Sequence, residues 1–312
     1  MTYENSLIIK VAWKYYNEGM TQNEIAESLS LSRMKVIKYL DIAKAHNIIQ
    51  FKINLDKFMD MDLQEKIKQK FNLQDIYIVP SSNQNLLDSL TKAAANYIED
   101  RITSDTMINV GYGQAVSRTL GHLNISNKYK VTFVSLSGGV RFYIPTALDS
   151  SSDYYTNPNY NHYIMPAPLL VSTEDLANQL IKEQSIKKIF EMIPYSTITI
   201  IGIGAVNEQA TLVKEGFLNT NEIEIYRSRG AVGDLLSQFY DKNGDILDFD
   251  LHKKLVSTDI NLLKSLNHVI AVAGGLEKRE AIIGALNGGY IDVLITDEVV
   301  AESLMDWNST IS

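Results

Sequence analysis

The sequence predicts an α/β protein with two domains. An N-terminal all-α, winged helix-turn-helix domain would occupy residues 1–55, and a larger, doubly wound domain with a mainly parallel sheet would occupy residues 56–312. Three observations support this: capped helical segments fill the first fifty positions, strand-like and helix-like segments alternate afterwards, and glycines follow most strand ends. A chain of 312 residues also fits about two domains.

Two helical segments come first. Residues 6–17 repeat apolar side chains with a period near 3.6, which predicts a helix that ends near Gly19. Thr21 and Glu24 then form a capping-box pattern, which predicts a second helix over residues 22–29. The side chains expected to face inward are Ile8, Val11, Ala12 and Tyr15 in the first helix, and Ile25, Ala26 and Leu29 in the second.

A third helix is predicted over residues 33–46, after a short turn at Ser30 and Leu31. Ser32 is a good N-cap for this helix, and Asn47 can close it. A short strand, the wing, follows from apolar residues beyond the helix. The inward residues are Val36, Leu40 and Ala43 of the helix, and the strand would contain Ile48, Phe51 and Ile53.

The third helix is basic within an acidic protein. Residues 31–52 hold five basic residues against Asp41 alone, a net charge of +4, whereas the chain carries −8. Two short helices, a tight turn and a helix with a basic start predict a helix-turn-helix whose last helix enters the DNA major groove. The alternative is an ordinary solvated amphipathic helix. The predicted DNA-binding residues are Thr21, Gln22, Ser32, Arg33, Lys35, Lys38 and Lys44.

Composition excludes several classes of protein. With net charge −8, the chain has no general basic coat, so any nucleic-acid surface must be local. The chain has no Cys, which excludes a disulfide scaffold, a Cys-ligated zinc site and a thiol nucleophile. Charges occur throughout the first nineteen residues, so we expect neither a signal peptide nor a membrane span. We predict a cytoplasmic protein without a metal or cofactor.

An amphipathic helix is predicted over residues 56–72. Its apolar residues are spaced four apart and form one stripe. The helix could connect the two domains or pair with a second subunit, or it could simply pack on the larger domain. The stripe consists of Met59, Leu63, Ile67 and Phe71.

Strands and helices alternate after residue 72. Continuous apolar strands that alternate with helices predict a parallel sheet with helices on both faces. The predicted strands are residues 76–79, 106–110, 131–136, 198–203, 268–273 and 292–295, and the predicted helices are residues 86–98, 114–123 and 276–286.

Glycines fall mainly just after these strands. In such folds, ligands bind beyond the carboxyl ends of the strands, and exposed backbone amides suit an anionic small molecule. The alternative is that each glycine only serves a tight turn. The glycine turns are residues 111–113, 137–139, 202–204 and 274–275.

Seven short motifs follow one another along this region. They are Gly-Tyr-Gly at 111–113, Ser-Gly-Gly at 137–139, Met-Pro-Ala-Pro at 165–168, Gly-Ile-Gly-Ala at 202–205, Gly-Ala-Val-Gly-Asp at 230–234, Ala-Gly-Gly-Leu-Glu-Lys at 273–278 and Thr-Asp-Glu at 296–298. The ordered set resembles the SorC family of sugar-responsive transcriptional regulators, which has its DNA-binding domain where this chain has its helix-turn-helix. The resemblance implies a sensing domain similar to pentose-phosphate isomerases and aminosugar-phosphate deaminases, phosphorylated sugars as effectors, and tetramers.

The resemblance also implies roles for individual residues. The turn at 111–114 matches the phosphate-facing loop, although Gln114 and Ala115 stand where members often have Arg or Thr. Lys278 matches a lysine whose ammonium is a good phosphate partner. The alternative is that Lys278 merely caps or solvates the helix after Gly275. Asp234 matches an acidic residue that could bind sugar hydroxyls, and the alternative is a turn or cap residue. The effector-binding residues predicted are Gly111, Tyr112, Gly113, Gln114, Ser137, Gly138, Gly139, Arg141, Asp234, Gly274, Gly275 and Lys278.

Two positions depart from the family pattern. Ser137 stands where some relatives carry Lys or Arg, so no Schiff base can form there, although its hydroxyl can donate a hydrogen bond. Residues 142–161 are rich in turn formers and tyrosines where relatives continue toward an amphipathic helix. This segment could be a lid over the sugar or an irregular surface loop.

These observations predict a DNA-binding regulator of a carbohydrate-utilisation operon, and not an enzyme. A phosphorylated sugar would control its DNA affinity, and the protein would be a homo-oligomer, either a dimer or a tetramer. The main alternative is a sugar-phosphate isomerase or deaminase with an extra domain, in which Glu277, Asp297 or Glu298 would be the base. A DNA-binding structural protein without a ligand would leave the glycine-rich edge unexplained.

Overall fold

The computed structural model describes residues 3–45, 48–49, 61–81, 85–125, 128–143 and 157–307. The chain divides into two compact units, Met1–Asn54 and Leu55–Ser312. No helix in the described ranges is long and apolar enough to cross a lipid bilayer.

The N-terminal unit contains three helices: α1 (Tyr3–Tyr16), α2 (Gln22–Ser28) and α3 (Arg33–Ala45). They bury one small core, because each helix has an apolar stripe of helical period. Tyr39 joins this core beside the residues predicted to face inward. Of the predicted wing, only residues 48–49 are described, and they form a bend. The buried core residues are Ile8, Val11, Ala12, Ile25, Ala26, Val36, Tyr39, Leu40 and Ala43.

The larger unit is built on a sheet of seven parallel strands, which confirms the predicted fold class. Each predicted strand is present to within two residues at either end. A further edge strand occupies part of the predicted loop at 142–161. The strands are β1 (Asp75–Val79), β2 (Thr106–Val110), β3 (Val131–Ser135), β4 (Tyr160–Tyr163), β5 (Ile198–Gly202), β9 (Val269–Val272) and β10 (Val293–Asp297).

Helices cover both faces of this sheet, so alternate residues of a strand enter different cores. In β3, Phe133 packs in one core and Val134 in the other. The first core lies under α5 (Leu86–Glu99) and α6 (Gln114–His122). The second lies under α4 (Met61–Phe71), α7 (Glu174–Lys182), α8 (Gln184–Met192), α12 (Arg279–Asn287) and α13 (Glu298–Met305).

The strand order is β1-β10-β9-β5-β2-β3-β4. From β2 the chain moves outward through β3 to β4, and it then returns to pair β5 with the other side of β2. The order therefore reverses between β2 and β5. In open α/β sheets such a reversal opens a crevice at the carboxyl ends of the strands.

A small second sheet was not predicted from the sequence. It contains β6 (Gly204–Ala205), β7 (Gly233–Leu235) and β8 (Gln238–Tyr240), and its strands are antiparallel. Strands of two or three residues have too few positions to show a period. An additional apolar core contains Phe239 of β8 together with residues of α9 (Thr211–Lys214), α10 (Thr220–Ser228) and α11 (Asp250–Lys253).

The stripe of α4 packs on the larger unit. Ile67 is fully buried, and Leu63 and Phe71 contact the same core. Met59 lies outside the described residues. These three residues therefore agree with the alternative in which the helix simply packs on the larger domain.

Candidate functional site

Both helices of the helix-turn-helix begin at the predicted caps. The Glu24 amide donates to Thr21 Oγ1 (3.3 Å), and the Thr21 amide donates to Glu24 Oε2 (2.7 Å), which completes the capping box. At the start of α3, the Lys35 amide donates to Ser32 Oγ (3.2 Å). These bonds satisfy free amides and fix where each helix starts.

The basic side chains of α3 lie in solvent. Arg33, Lys35, Lys38 and Lys44 are all exposed. Arg33 Nε donates to Gln22 Oε1 (3.3 Å), which joins the start of α3 to the start of α2. Lys35 Nζ lies 5.6 Å from the centre of the Tyr39 ring. The structure thus brings Arg33 to Gln22 at the two helix starts, while Lys44 lies in the last turn of α3.

The larger unit has a cavity of about 330 Å³ at the crevice predicted by the strand order. Its walls come from segments that follow β2, β5 and β9, at the carboxyl edge of the sheet. Half of the predicted effector-binding residues meet here. Those that line the cavity are Tyr112, Gly113, Gln114, Asp234, Gly274 and Lys278.

The start of α6 forms one wall of this cavity. Gly113 is its N-cap and adopts φ +144°, a conformation that favours glycine. No side chain among the described residues caps this helix end. The first amides of α6 therefore point to a place where an anion would find donors and the positive end of a helix dipole.

Lys278 supplies a cation to the same cavity. Its ammonium donates to the Ile203 carbonyl (3.0 Å). Burial lowers the pKa of Lys278, the carboxylates of Asp234 and Glu277 act against this, and the nearby cation of Lys214 acts with it. The ammonium is thus partly desolvated, so an added anion would interact with it strongly.

Asp234 faces Lys278 from β7. Burial raises the pKa of Asp234 to about 6, while a hydrogen bond from the Ser237 amide (3.2 Å) and the charge of Lys278 favour the carboxylate. A Cβ at Gly204 would overlap the Asp234 carboxylate, so a larger residue there would displace that carboxylate. Asp234 can accept hydrogen bonds from hydroxyl groups of a ligand.

Asp297, the last residue of β10, positions the Gly274–Gly275 turn. Its Oδ2 accepts a hydrogen bond from the Gly275 amide (2.7 Å), and its Oδ1 accepts one from the Val300 amide (3.3 Å). Gly275 has φ +91°, which also favours glycine. Asp297 is 2 % exposed and is used in holding the turn and capping α13.

The remaining predicted effector residues lie outside the cavity. Ser137 is fully buried, and its hydroxyl hydrogen-bonds to the Tyr143 hydroxyl (3.0 Å). Arg141 forms an ion pair with Glu215 (2.7 Å). Those that do not line the cavity are Gly111, Ser137, Gly138, Gly139, Arg141 and Gly275.

Several lining residues were not predicted. They follow β5 or β7, or they start α5, and nothing in their local sequence marks them as part of the same site. Asn207, Gln209, Thr211, Lys214 and Ser237 add polar groups, while leucines of α5 form an apolar wall. These leucines are Leu86, Leu87 and Leu90.

The predicted lid lies mostly outside the described residues. Phe142 and Tyr143 are described, and both rings contact Tyr112 edge to face, with centroids 4.8 and 5.9 Å away. At its other end, residues 160–161 belong to β4. The described ends of the segment are therefore packed into the larger unit.

Comparisons with known proteins identify the family. A family model described as "Putative sugar-binding domain" matches residues 56–306. The chain is 30% identical to the transcriptional regulator LsrR of Enterobacter sp. (strain 638) over 97% of this chain and 93% of that protein. It is 31% identical to LsrR of Escherichia coli (strain K12), over 97% and 95%. The chain belongs to the SorC family of sugar-binding transcriptional regulators.

A solved member of the SorC family has the same fold over its whole length. The full-length sorbitol operon regulator SorC from Klebsiella pneumoniae is 25% identical, with a TM-score of 0.70, and the match covers 98% of this chain and 100% of that one. These relatives are regulators, which confirms the prediction of a sugar-responsive transcriptional regulator and not an isomerase or deaminase.

Proposed function

We propose that this SorC-family regulator binds operator DNA through α3 and releases or retains it in response to a phosphorylated sugar in the 330 Å³ cavity. The observation that carries the proposal is the joint presence of the uncapped start of α6 and of Lys278 in one cavity. Together they supply amide donors, a helix dipole and a cation, which is what a phosphate group needs.

Other polar groups that line the cavity suit the sugar. Asp234 and the side-chain amides of Asn207 and Gln209 offer hydrogen-bonding groups of both kinds, as hydroxyl-rich ligands require. We therefore assign the phosphate to the turn at 111–114 and Lys278, and the hydroxyls to Asp234. The protein would act in the cytoplasm, and the genes that it regulates would form a carbohydrate-utilisation operon.

We further propose that the protein acts as a homo-oligomer, a dimer or a tetramer. One helix-turn-helix has a small footprint, and two half-sites about 34 Å apart, or a multiple of that, need at least two copies. Light scattering at micromolar protein, with operator DNA present, should give the mass of a dimer or tetramer. A monomer mass would contradict this part.

The experiment that tests the switch measures operator affinity with and without a panel of sugar phosphates. The operator is first selected from random duplex DNA with the parent protein. We expect an active sugar phosphate to change affinity by roughly 5- to 150-fold. Lys278→Ala should lose this response and keep its effector-free affinity, because the mutation is in the larger unit and leaves α3 unchanged.

Two further variants separate charge from structure. Lys278→Gln keeps a donor for the Ile203 carbonyl but removes the charge, so it should lose the response as well. Lys187→Ala removes an exposed lysine of α8 and should respond like the parent. A Lys278→Ala protein that responds fully would instead mean that Lys278 only supports its helix.

A further inference from the structure

Met34, the second residue of α3, is not used by either site described above. Its side chain is 73 % exposed. Among the described residues of α3, no other large apolar side chain is exposed. Exposed basic residues surround it in sequence: Arg33 and Lys35 on either side and Lys38 one turn later. One exposed apolar side chain is ordinary on a protein surface, but among these cations it offers a contact that a charged side chain cannot make.

The helical period places Met34 on the outward face of α3. Val36 is fully buried, and Met34 lies two positions away, about 200° around the helix. Lys38 follows Met34 by four positions and shares its face. Lys38 has no hydrogen-bonded or ionic partner among the described residues. The outward face of the first turns is thus Met34 with Lys38.

Arg33 lies at a different angle. It is one position before Met34, and its guanidinium reaches sideways to Gln22 at the start of α2 (3.3 Å). An arginine held against α2 is placed beside the outward face, where a DNA backbone passes when a recognition helix enters the groove. Met34 is therefore better placed than Arg33 to meet a base edge.

The major groove offers one apolar group, the C5-methyl of thymine. A methionine thioether is flexible and polarizable, so it can follow the position of such a methyl. We propose that Met34 reads a thymine methyl in each half-site of the operator. The proposal rests on DNA binding through α3, and it names the base chemistry that this binding recognises.

The test replaces thymine by deoxyuridine, which removes only the methyl and preserves base pairing. Operator duplexes selected with the parent protein are scanned one thymine pair at a time, and affinity is measured by fluorescence anisotropy at fixed salt. For the parent protein, replacing one particular thymine of a half-site, or its symmetry mate, should lower operator affinity by roughly three- to tenfold. In Met34→Ala, the same replacement should have no effect, so the two changes are coupled.

Control variants keep the result specific. Met61→Ala removes an equally exposed methionine of α4 (72 %) and should keep the full sensitivity to deoxyuridine. Circular dichroism of Met34→Ala checks that α3 is intact, and Met34→Leu, which stays apolar, should keep part of the sensitivity. If no thymine methyl matters, or if Met34→Ala keeps the parent's sensitivity, the assignment is overturned while DNA binding stands. A chain that selects no sequence would overturn both.

Discussion

The helix α3 and the cavity at the sheet edge use cations in opposite ways. The basic residues of α3 stand in solvent on a helix whose start is fixed by a cap three residues away. Lys278 is partly desolvated beside the carboxylate of Asp234, and its ammonium is held by the carbonyl of Ile203, 75 residues earlier in the chain. A surface for DNA can be built locally, whereas a site for a small molecule needs walls from several strands.

The difference has energetic consequences. Exposed cations bind phosphate at little desolvation cost, but salt screens them. A desolvated lysine interacts strongly with one well-placed anion, and it depends on exact packing around the cavity. Changes to close-packed turns of the larger unit should therefore cost much more than changes to the caps of the N-terminal unit.

The largest effect is expected at Gly138. Its amide donates to the Val256 carbonyl (2.7 Å), and a Cβ here would overlap the Pro168 and Ala167 carbonyls. Gly138→Ala should lower the free energy of unfolding of the larger unit by about 3 kcal/mol, because backbone atoms cannot move aside cheaply. Urea unfolding followed by Trp307 fluorescence in a Trp13→Phe background measures it.

A matched glycine tests the reason. Gly121 lies in α6 with no atom near the position of an added Cβ. Gly121→Ala should be neutral or stabilise by up to about 1 kcal/mol, since alanine favours helix. Equal stability of the parent and Gly138→Ala would contradict the packing of this turn and return Gly138 to the candidates for effector contact.

An intermediate effect is expected from the titration of Asp234. Its pKa is about 6 in the folded protein and about 3.9 unfolded, so between these values the folded state binds more protons. The contribution of Asp234 to stability is then present at low pH and falls as pH rises from about 4 to 6, by about 2 kcal/mol after allowing for its partial exposure.

His252 acts in the opposite direction. Burial lowers its pKa to about 4, so the unfolded state binds more protons and stability rises with pH up to about 6.5. The quantity to measure is therefore the difference in unfolding free energy between the parent and Asp234→Asn across this range. A difference that stays constant with pH would contradict a raised pKa for Asp234.

The smallest effect is expected at the capping box. Thr21→Ala removes the acceptor for the Glu24 amide and should lower the stability of the N-terminal unit by about 1 kcal/mol. Trp13 fluorescence in a Trp307→Phe background follows this unit. Thr21→Ser keeps the hydroxyl and should keep most of the stability, and a loss as large as that of Thr21→Ala would argue against the cap.

Some features of this protein were predictable from neighbouring residues alone. The caps at Thr21 and Ser32, the inward stripes of the first three helices and six apolar strands all follow from short periods or from side chains that bond within a few positions. The family motifs also located the turns after the strands, because such turns need glycine where a helix or ligand approaches closely.

Only the tertiary structure decided which turns meet. Ser137–Gly139 and the 274–275 turn look alike in sequence, but the strand order puts Gly274 in the cavity, and it surrounds Ser137 with Tyr143 and other buried groups. Lys214 and the polar residues after β5 line the cavity in the folded protein, although no sequence pattern indicated them. The sequence determined local elements because their bonds are local, and the sheet order determined the site because its walls come from distant segments.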